Sequence, residues 1–437
     1  MAASKKIISS FIILFLLLAN VSYARVDNSP PAAPGEYILV VEGYDWGPAV
    51  NKVILQMDTV NSAVDYRDFS VFIEKNSDCA DIPAASKLGS RTILYAYISD
   101  DVGNRLAQGN YVTLVLTVAP NMTLASPFQY AVTGKCRGNS WVDYKVTVTN
   151  SKINKLWNKQ RSRLIPQLKG FDVTGRYNYE EGKTMSYASF TPDTKLQKAP
   201  LIIWLHGGGE GGTDPTIPLL GNKAVNYASP DIQSIFGGAY VLVPQCPGAW
   251  MHNKAGVTTA GKEDDVYNTG LLALIKNYVD AHPGIDKKRI YVGGCSNGGY
   301  MALKLMLIDP GYFAAGYISA LAYQSQYITD AQIKSIQHIP IWFVHSKDDP
   351  TTIADKTVIP VYNRLKESGA KDVHLSLYNH VTDITGFFGG ENYYYNGHWS
   401  WIYSHANQAK LDADGSSVTR NGKAVTLMEW MAAQIKK

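Results

Sequence analysis

The chain has 437 residues, with 41 Lys+Arg against 37 Asp+Glu and 46% hydrophobic residues. That length exceeds one ordinary domain and suggests two, while the small net charge of +4, with no concentrated run of Lys and Arg, excludes a nucleic-acid-binding surface. The hydrophobic content excludes disorder, and a single long apolar run excludes a multi-span membrane protein.

That run comes first. Lys5 and Lys6 precede an apolar core from Ile7 to Ala19, and Ser22-Tyr23-Ala24 supplies a small-x-small end. This is the pattern of a secretory signal peptide, and cleavage is expected after Ala24. The run is short for a span of about 20 residues. No Cys follows it and Gln434 to Lys437 form no apolar tail, so no stable membrane anchor is expected. The protein is thus read as secreted, extracellular or periplasmic. Export permits disulfides among Cys79, Cys136, Cys246 and Cys295. Cys79 and Cys136 share the N-terminal third, and a bridge there would contribute about 4 kcal/mol. Four cysteines allow three pairings, so the choice stays open.

From Tyr37 to Thr149 the chain reads as short β-branched and aromatic runs. They include Tyr37 to Val41, Val53 to Leu55, Phe69 to Ile73, Thr92 to Tyr97, Tyr111 to Leu116 and Val142 to Val148. About seven strands over roughly 115 residues predict an antiparallel sandwich of immunoglobulin-like type. No Trp stands between Cys79 and Cys136, so the antibody signature is missing. Residues 25–150 are assigned to this domain, followed by a polar bridge from Asn150 to Lys169.

Residues 151–437 change character. Strands at Leu201 to Leu205, Ala239 to Val243, Arg289 to Val292, Ile341 to His345 and Val373 to Leu377 alternate with helices. Helices are expected near Asp265 to Asp280, Gly299 to Leu307 and Thr426 to Lys436. This alternation predicts a doubly wound α/β domain with a mainly parallel sheet. Its ligands belong at the carboxyl ends of the strands.

Three motifs fall there. Gly294-Cys295-Ser296-Asn297-Gly298 lies between a strand and a helix and fits G-x-S-x-G, with the small neighbours that a sharp turn presenting Ser296 requires. Leu205-His206-Gly207-Gly208-Gly209-Glu210 follows the first strong strand of the domain, where glycines let backbone N–H groups approach a developing oxyanion. Gly207 or Gly208, with the N–H of Asn297, are the expected donors. Val344 to Pro350 offers two carboxylates, of which Asp349 is preferred over Asp348 as the acid. Among His374, His380, His398 and His405, the base is assigned to His398, in a loop after Gly397; His380 is the runner-up, and His374 reads as a packed or surface strand residue.

With these motifs in order, the chain resembles the α/β-hydrolase superfamily, and more closely its secreted esterases and predicted peptidases with an N-terminal immunoglobulin-like domain. Glu42 to Val50, Leu205 to Gly209, Val243 to Pro247, Gly294 to Met301 and Asn396 to Trp401 carry the resemblance. It implies a Ser296, Asp349, His398 triad, an acyl-enzyme and no metal or organic cofactor. Its substrate would be a small or medium acyl ester, free or polysaccharide-linked. The same triad allows a prolyl-oligopeptidase-type peptidase, although a sandwich stands where that relative carries a propeller, and a non-catalytic binding protein on the same scaffold is a third class. Capping of the site or oligomerisation through the N-terminal domain is expected. The chain departs from simpler relatives in a long insertion, Val381 to Asn396, with Gly386-Phe387-Phe388 and Tyr393-Tyr394-Tyr395. With Trp250 and Trp399 these rings would wall a pocket for a sugar ester or phenolic acyl group, or simply pack the insertion against the body.

Overall fold

The computed structural model describes residues 34–60, 62–132 and 136–437. The apolar run and the expected cleavage after Ala24 lie outside them. In the N-terminal third the alternating runs form one sheet of eight strands. From edge to edge these are Leu88–Arg91, Phe69–Asn76, Asp143–Asn150, Lys155–Leu164, Gly35–Tyr44, Gly47–Val60, Gly109–Leu116 and Ile93–Ser99. Only Thr92 separates the two edge strands in sequence, so the sheet must fold over on itself. Period-2 alternation then drives Leu39, Val41, Val53, Leu55, Val71, Ile73, Val146 and Val148 from both halves into one core around Trp157. Cys79 is bridged to Cys136, whereas Cys246 and Cys295 are free and buried.

One expectation is corrected here. The polar bridge read after residue 150 contains the strand Lys155–Leu164, which pairs in parallel with Gly35–Tyr44 and closes the centre of the first sheet. Its run of charged and polar residues hid it: of its ten residues only Trp157 is fully inside. The first domain therefore extends past the expected boundary at 150.

The second sheet is built from β1 (Phe171–Glu180), β2 (Lys183–Phe190), β3 (Ala199–Leu205), β4 (Tyr240–Gln245), β5 (Ile285–Cys295), β6 (Ala315–Ser319), β7 (Ile341–Ser346) and β8 (Val373–Tyr378). Their spatial order is β1-β2-β4-β3-β5-β6-β7-β8, antiparallel at β1 and β2 and parallel from β4 to β8. All seven residues of β3 are buried. Leu201, Ile203 and Leu205 enter the core on one face, and Ile202 and Trp204 the core on the other. Such continuous apolar strands belong between two helical layers. Helices α1 (Asn268–Ala281) and α2 (Asn297–Ile308) pack on the first face. Among the described residues no helix is long and apolar enough to cross a membrane.

At the far edge, His374 on β8 donates from Nδ1 to Asp412 (2.7 Å) and from Nε2 to Asp372 (3.1 Å). Asp372 also accepts the Trp430 indole N–H (2.7 Å), so this cluster ties the C-terminal helix to the sheet. Burial by itself would lower the His374 pKa, but the bonds to Asp372 and Asp412 and their charges outweigh it and raise it to about 9. A raised folded-state pKa contributes stability that is full below the ordinary value and is lost as pH rises through about 9. Unfolding free energy should thus fall by roughly 3 kcal/mol between about pH 6 and pH 10. Denaturant titrations at the two pH values test this, and His374→Asn should remove most of the difference.

Candidate active site

The turn from β5 into α2 places Ser296 at φ 53° and ψ −116°, a conformation that a non-glycine residue adopts only when its surroundings impose it. The Ser296 N–H donates to Ser319 O (3.0 Å), which locks the turn to the neighbouring strand β6. Gly298, in the first turn of α2, lies so close to β3 that an added Cβ would sit 2.0 Å from Leu205 O. The sequence needs glycine there because helix and strand touch backbone to backbone. Ser296 itself is partly accessible between buried neighbours.

After β7, Asp349 is 2% exposed. Its Oδ1 accepts the N–H groups of Thr351 and Thr352 (both 2.8 Å), and its Oδ2 accepts the Thr352 hydroxyl (2.6 Å). His398 Nδ1 donates to Asp349 Oδ2 at 2.9 Å. Burial favours the neutral acid, yet His398 and the Thr352 donors outweigh it and hold the Asp349 carboxyl down to about 2. It is a fixed anion over the working pH range. Buried His345, whose pKa burial lowers, sends Nε2–H to Thr352 O (2.7 Å) and braces the turn from beneath. A carboxylate so saturated with donors can do one thing for His398: fix its tautomer and orient its ring.

The neighbouring Asp348 has a different partner. It accepts from His380 Nδ1 at 2.8 Å and from the Ser346 hydroxyl. His380 is 47% exposed and stacks on Tyr394. The two adjacent acids therefore separate the two candidate bases, pairing Asp349 with His398 and Asp348 with His380. His374 lies in the structural cluster described above.

The loop after β3 is turned by a bond from Glu210 N–H to Gly207 O (3.5 Å). His206 is fully buried and donates from Nδ1 to Gly207 O (2.6 Å) while its Nε2 accepts the Cys246 N–H (3.0 Å). Burial pushes its pKa down to about 4, so it is a neutral strut. Gly207 faces Glu210 and Cys295, whereas Gly208 faces Asn297. Burial raises the Glu210 carboxyl to about 7 despite a bond from Asn139.

The family described as esterase Ig-like N-terminal domain matches residues 36–162, and the family described as phospholipase/carboxylesterase matches residues 189–383. The chain carries an α/β-hydrolase fold behind an N-terminal Ig-like domain. A solved thermostable esterase shares the fold of this chain, with a TM-score of 0.69, 22% identity, and coverage of 91% of this chain and 99% of that one. Feruloyl esterase B from Neurospora crassa is 32% identical over 29% of this chain and 41% of its own. A poly(3-hydroxybutyrate) depolymerase from Ralstonia pickettii is 26% identical over 38% of this chain and 32% of its own. The chain thus spans less than half the length of either curated relative. The second family match ends at residue 383, before His398.

One pocket assignment is corrected. Trp250 is fully buried, with its indole N–H on His206 O (3.0 Å) and its backbone N–H on Asn297 Oδ1 (2.6 Å). It supports the glycine loop and offers no surface to a ligand. Trp399 is partly buried against Tyr395. The insertion divides: Tyr395 packs inward, while Phe387 and Tyr394 are 86% and 58% exposed. Sequence reasoning gave no role to Glu210, His345 or Asn139. Glu210 directly follows the glycine run and was open to notice; Asn139, in the other domain, carried no local signal.

Proposed function

We propose that the hydrolase is a secreted serine ester hydrolase working through Ser296, His398, Asp349 and an acyl-enzyme. The observation that carries this reading is the buried Asp349–His398 couple, at the same end of the sheet as the Ser296 elbow. With Nδ1–H committed to Asp349, His398 has Nε2 free to take the Ser296 proton as Oγ attacks the ester carbonyl. The N–H groups of Gly208 and Asn297 receive the oxyanion, and Gly207 is set aside because its backbone N–H is engaged with the Glu210 carboxyl. His398 then passes its proton to the departing alcohol. Water enters, loses a proton to His398, and releases the acid from Ser296.

Exposed Phe387 and Tyr394 on the segment leading to His398 offer ring faces, and the N. crassa relative is named for feruloyl esters. Together they support a phenolic or carbohydrate-linked ester as the substrate class. The Lys5 to Ala24 pattern and the Cys79–Cys136 bridge support export, since disulfides persist outside the cytosol. Protein collected from the growth medium is expected to begin at Arg25, to react with a fluorophosphonate at Ser296, and to hydrolyse p-nitrophenyl acetate and methyl ferulate. If Ser296→Ala leaves labelling unchanged, the enzyme reading falls. Turnover of a blocked prolyl peptide without turnover of either ester would replace it with a peptidase.

A further inference from the structure

We infer that the N-terminal domain is a working part of the oxyanion hole, with Asn139 as a positioning residue for the Gly208 donor; this rests on the ester-hydrolase reading above. The antiparallel strands Phe128–Ala131 and Gly138–Trp141 lie against the glycine loop of the other domain. Asn139 grips it twice, with its backbone N–H on Gly209 O (2.6 Å) and its side-chain Nδ2 on Glu210 Oε1 (2.9 Å). The approach is so close that a Cβ on Gly138, which has φ +97°, would meet Gly209 O at 2.5 Å. Tyr130 covers the same loop from the side, 2.9 Å from where a Gly209 Cβ would stand.

These contacts bear on Gly208 because of where its N–H belongs. It shares a peptide plane with Gly207 C=O, and in a trans peptide the two point opposite ways. The His206 bond to Gly207 O therefore aims the Gly208 N–H. Gly209 O and Glu210, the next two points of the turn, are held by Asn139, and Gln245 Nε2 holds Glu210 O (3.0 Å). Losing the Asn139 Nδ2 bond would free the Glu210 side chain at the end of that turn and let the peptides between 207 and 210 shift. An oxyanion donor is worth about 10²–10³ in kcat only while it is aimed. The disulfide at Cys136, two residues before Gly138, anchors the strand that carries Asn139 to its own domain.

The test compares the full chain with Asn139→Ala and the near-isosteric Asn139→Asp; both keep the backbone bond to Gly209 O, while the first removes the side-chain donor to Glu210 and the second replaces it with an acceptor. Both should lower kcat for p-nitrophenyl acetate by about 10–100-fold, part of a full donor's worth, with KM changed less than about threefold. Fluorophosphonate labelling of Ser296 should still reach completion, more slowly. A merely structural role would lower the labelled fraction and thermal stability while leaving kcat per labelled site unchanged, and that result overturns the inference. So does an unchanged kcat in both variants. If the wild-type chain shows no Ser296-dependent turnover, the ester-hydrolase reading itself fails.

Discussion

Asp349→Asn is expected to slow ester hydrolysis by about 10⁴-fold while leaving KM and folding nearly unchanged. The size of the effect follows from which atoms are already committed. The Thr351 and Thr352 N–H groups require an oxygen at the Oδ1 position, so the new amide must place its NH₂ where Oδ2 was. That NH₂ faces His398 Nδ1, which then has to accept rather than donate. The proton moves to Nε2, and the imidazole can no longer take a proton from Ser296. The matching change at Asp348, whose partners are His380 and Ser346, should cost less than about threefold because no tautomer of His398 depends on it. Steady-state kinetics of the two variants side by side measures this. Equal losses at both positions would sink the assignment.

Gly298→Ala should abolish the site by a different route. The added Cβ would lie 2.0 Å from Leu205 O, 2.4 Å from Leu205 C and 2.5 Å from His206 O, all backbone atoms with no rotamer to move. The helix carrying Ser296 and the strand feeding the glycine loop must then separate. Such overpacking costs about 3 kcal/mol or more. Because it displaces Gly208 from Asn297, kcat should fall at least about 100-fold in whatever protein still folds. Gly311→Ala, where nothing lies within 4 Å of the added carbon, is the matched control and should change neither. Denaturant midpoints and kcat for the pair decide the matter; a Gly298→Ala protein of wild-type stability and rate would contradict the backbone packing described here.

Both effects arise at positions that the sequence singles out, but for reasons it does not contain. The order Ser296, Asp349, His398 and the glycine loop after an apolar strand are local patterns, readable because a strand-turn-helix restricts which residues fit. Most buried strands of both sheets were legible for the same reason, since apolar runs and period-2 alternation report burial directly; β6 was missed although all five of its residues are buried, because Ala315-Gly316-Tyr317-Ile318-Ser319 is a short run with little β-branched content. Lys155–Leu164 and β1 were not, because each carries much of its polar surface outward and its membership is decided by the strand beside it.

Adjacent Asp348 and Asp349 carry the same carboxylate, and only their positions relative to His345 and Pro350 favour Asp349 in the sequence. Only the folded chain gives one of them three donors and His398, 49 residues away, and the other an exposed His380. Trp250 likewise reads as a pocket wall until burial makes it a strut, and Asn139 has no signal until its domain meets the glycine loop. Local sequence determined which chemistry the chain carries and in what order. Tertiary structure decided which residues share it, because hydrogen-bond partners and burial depend on segments far apart in the chain that meet only when it is folded.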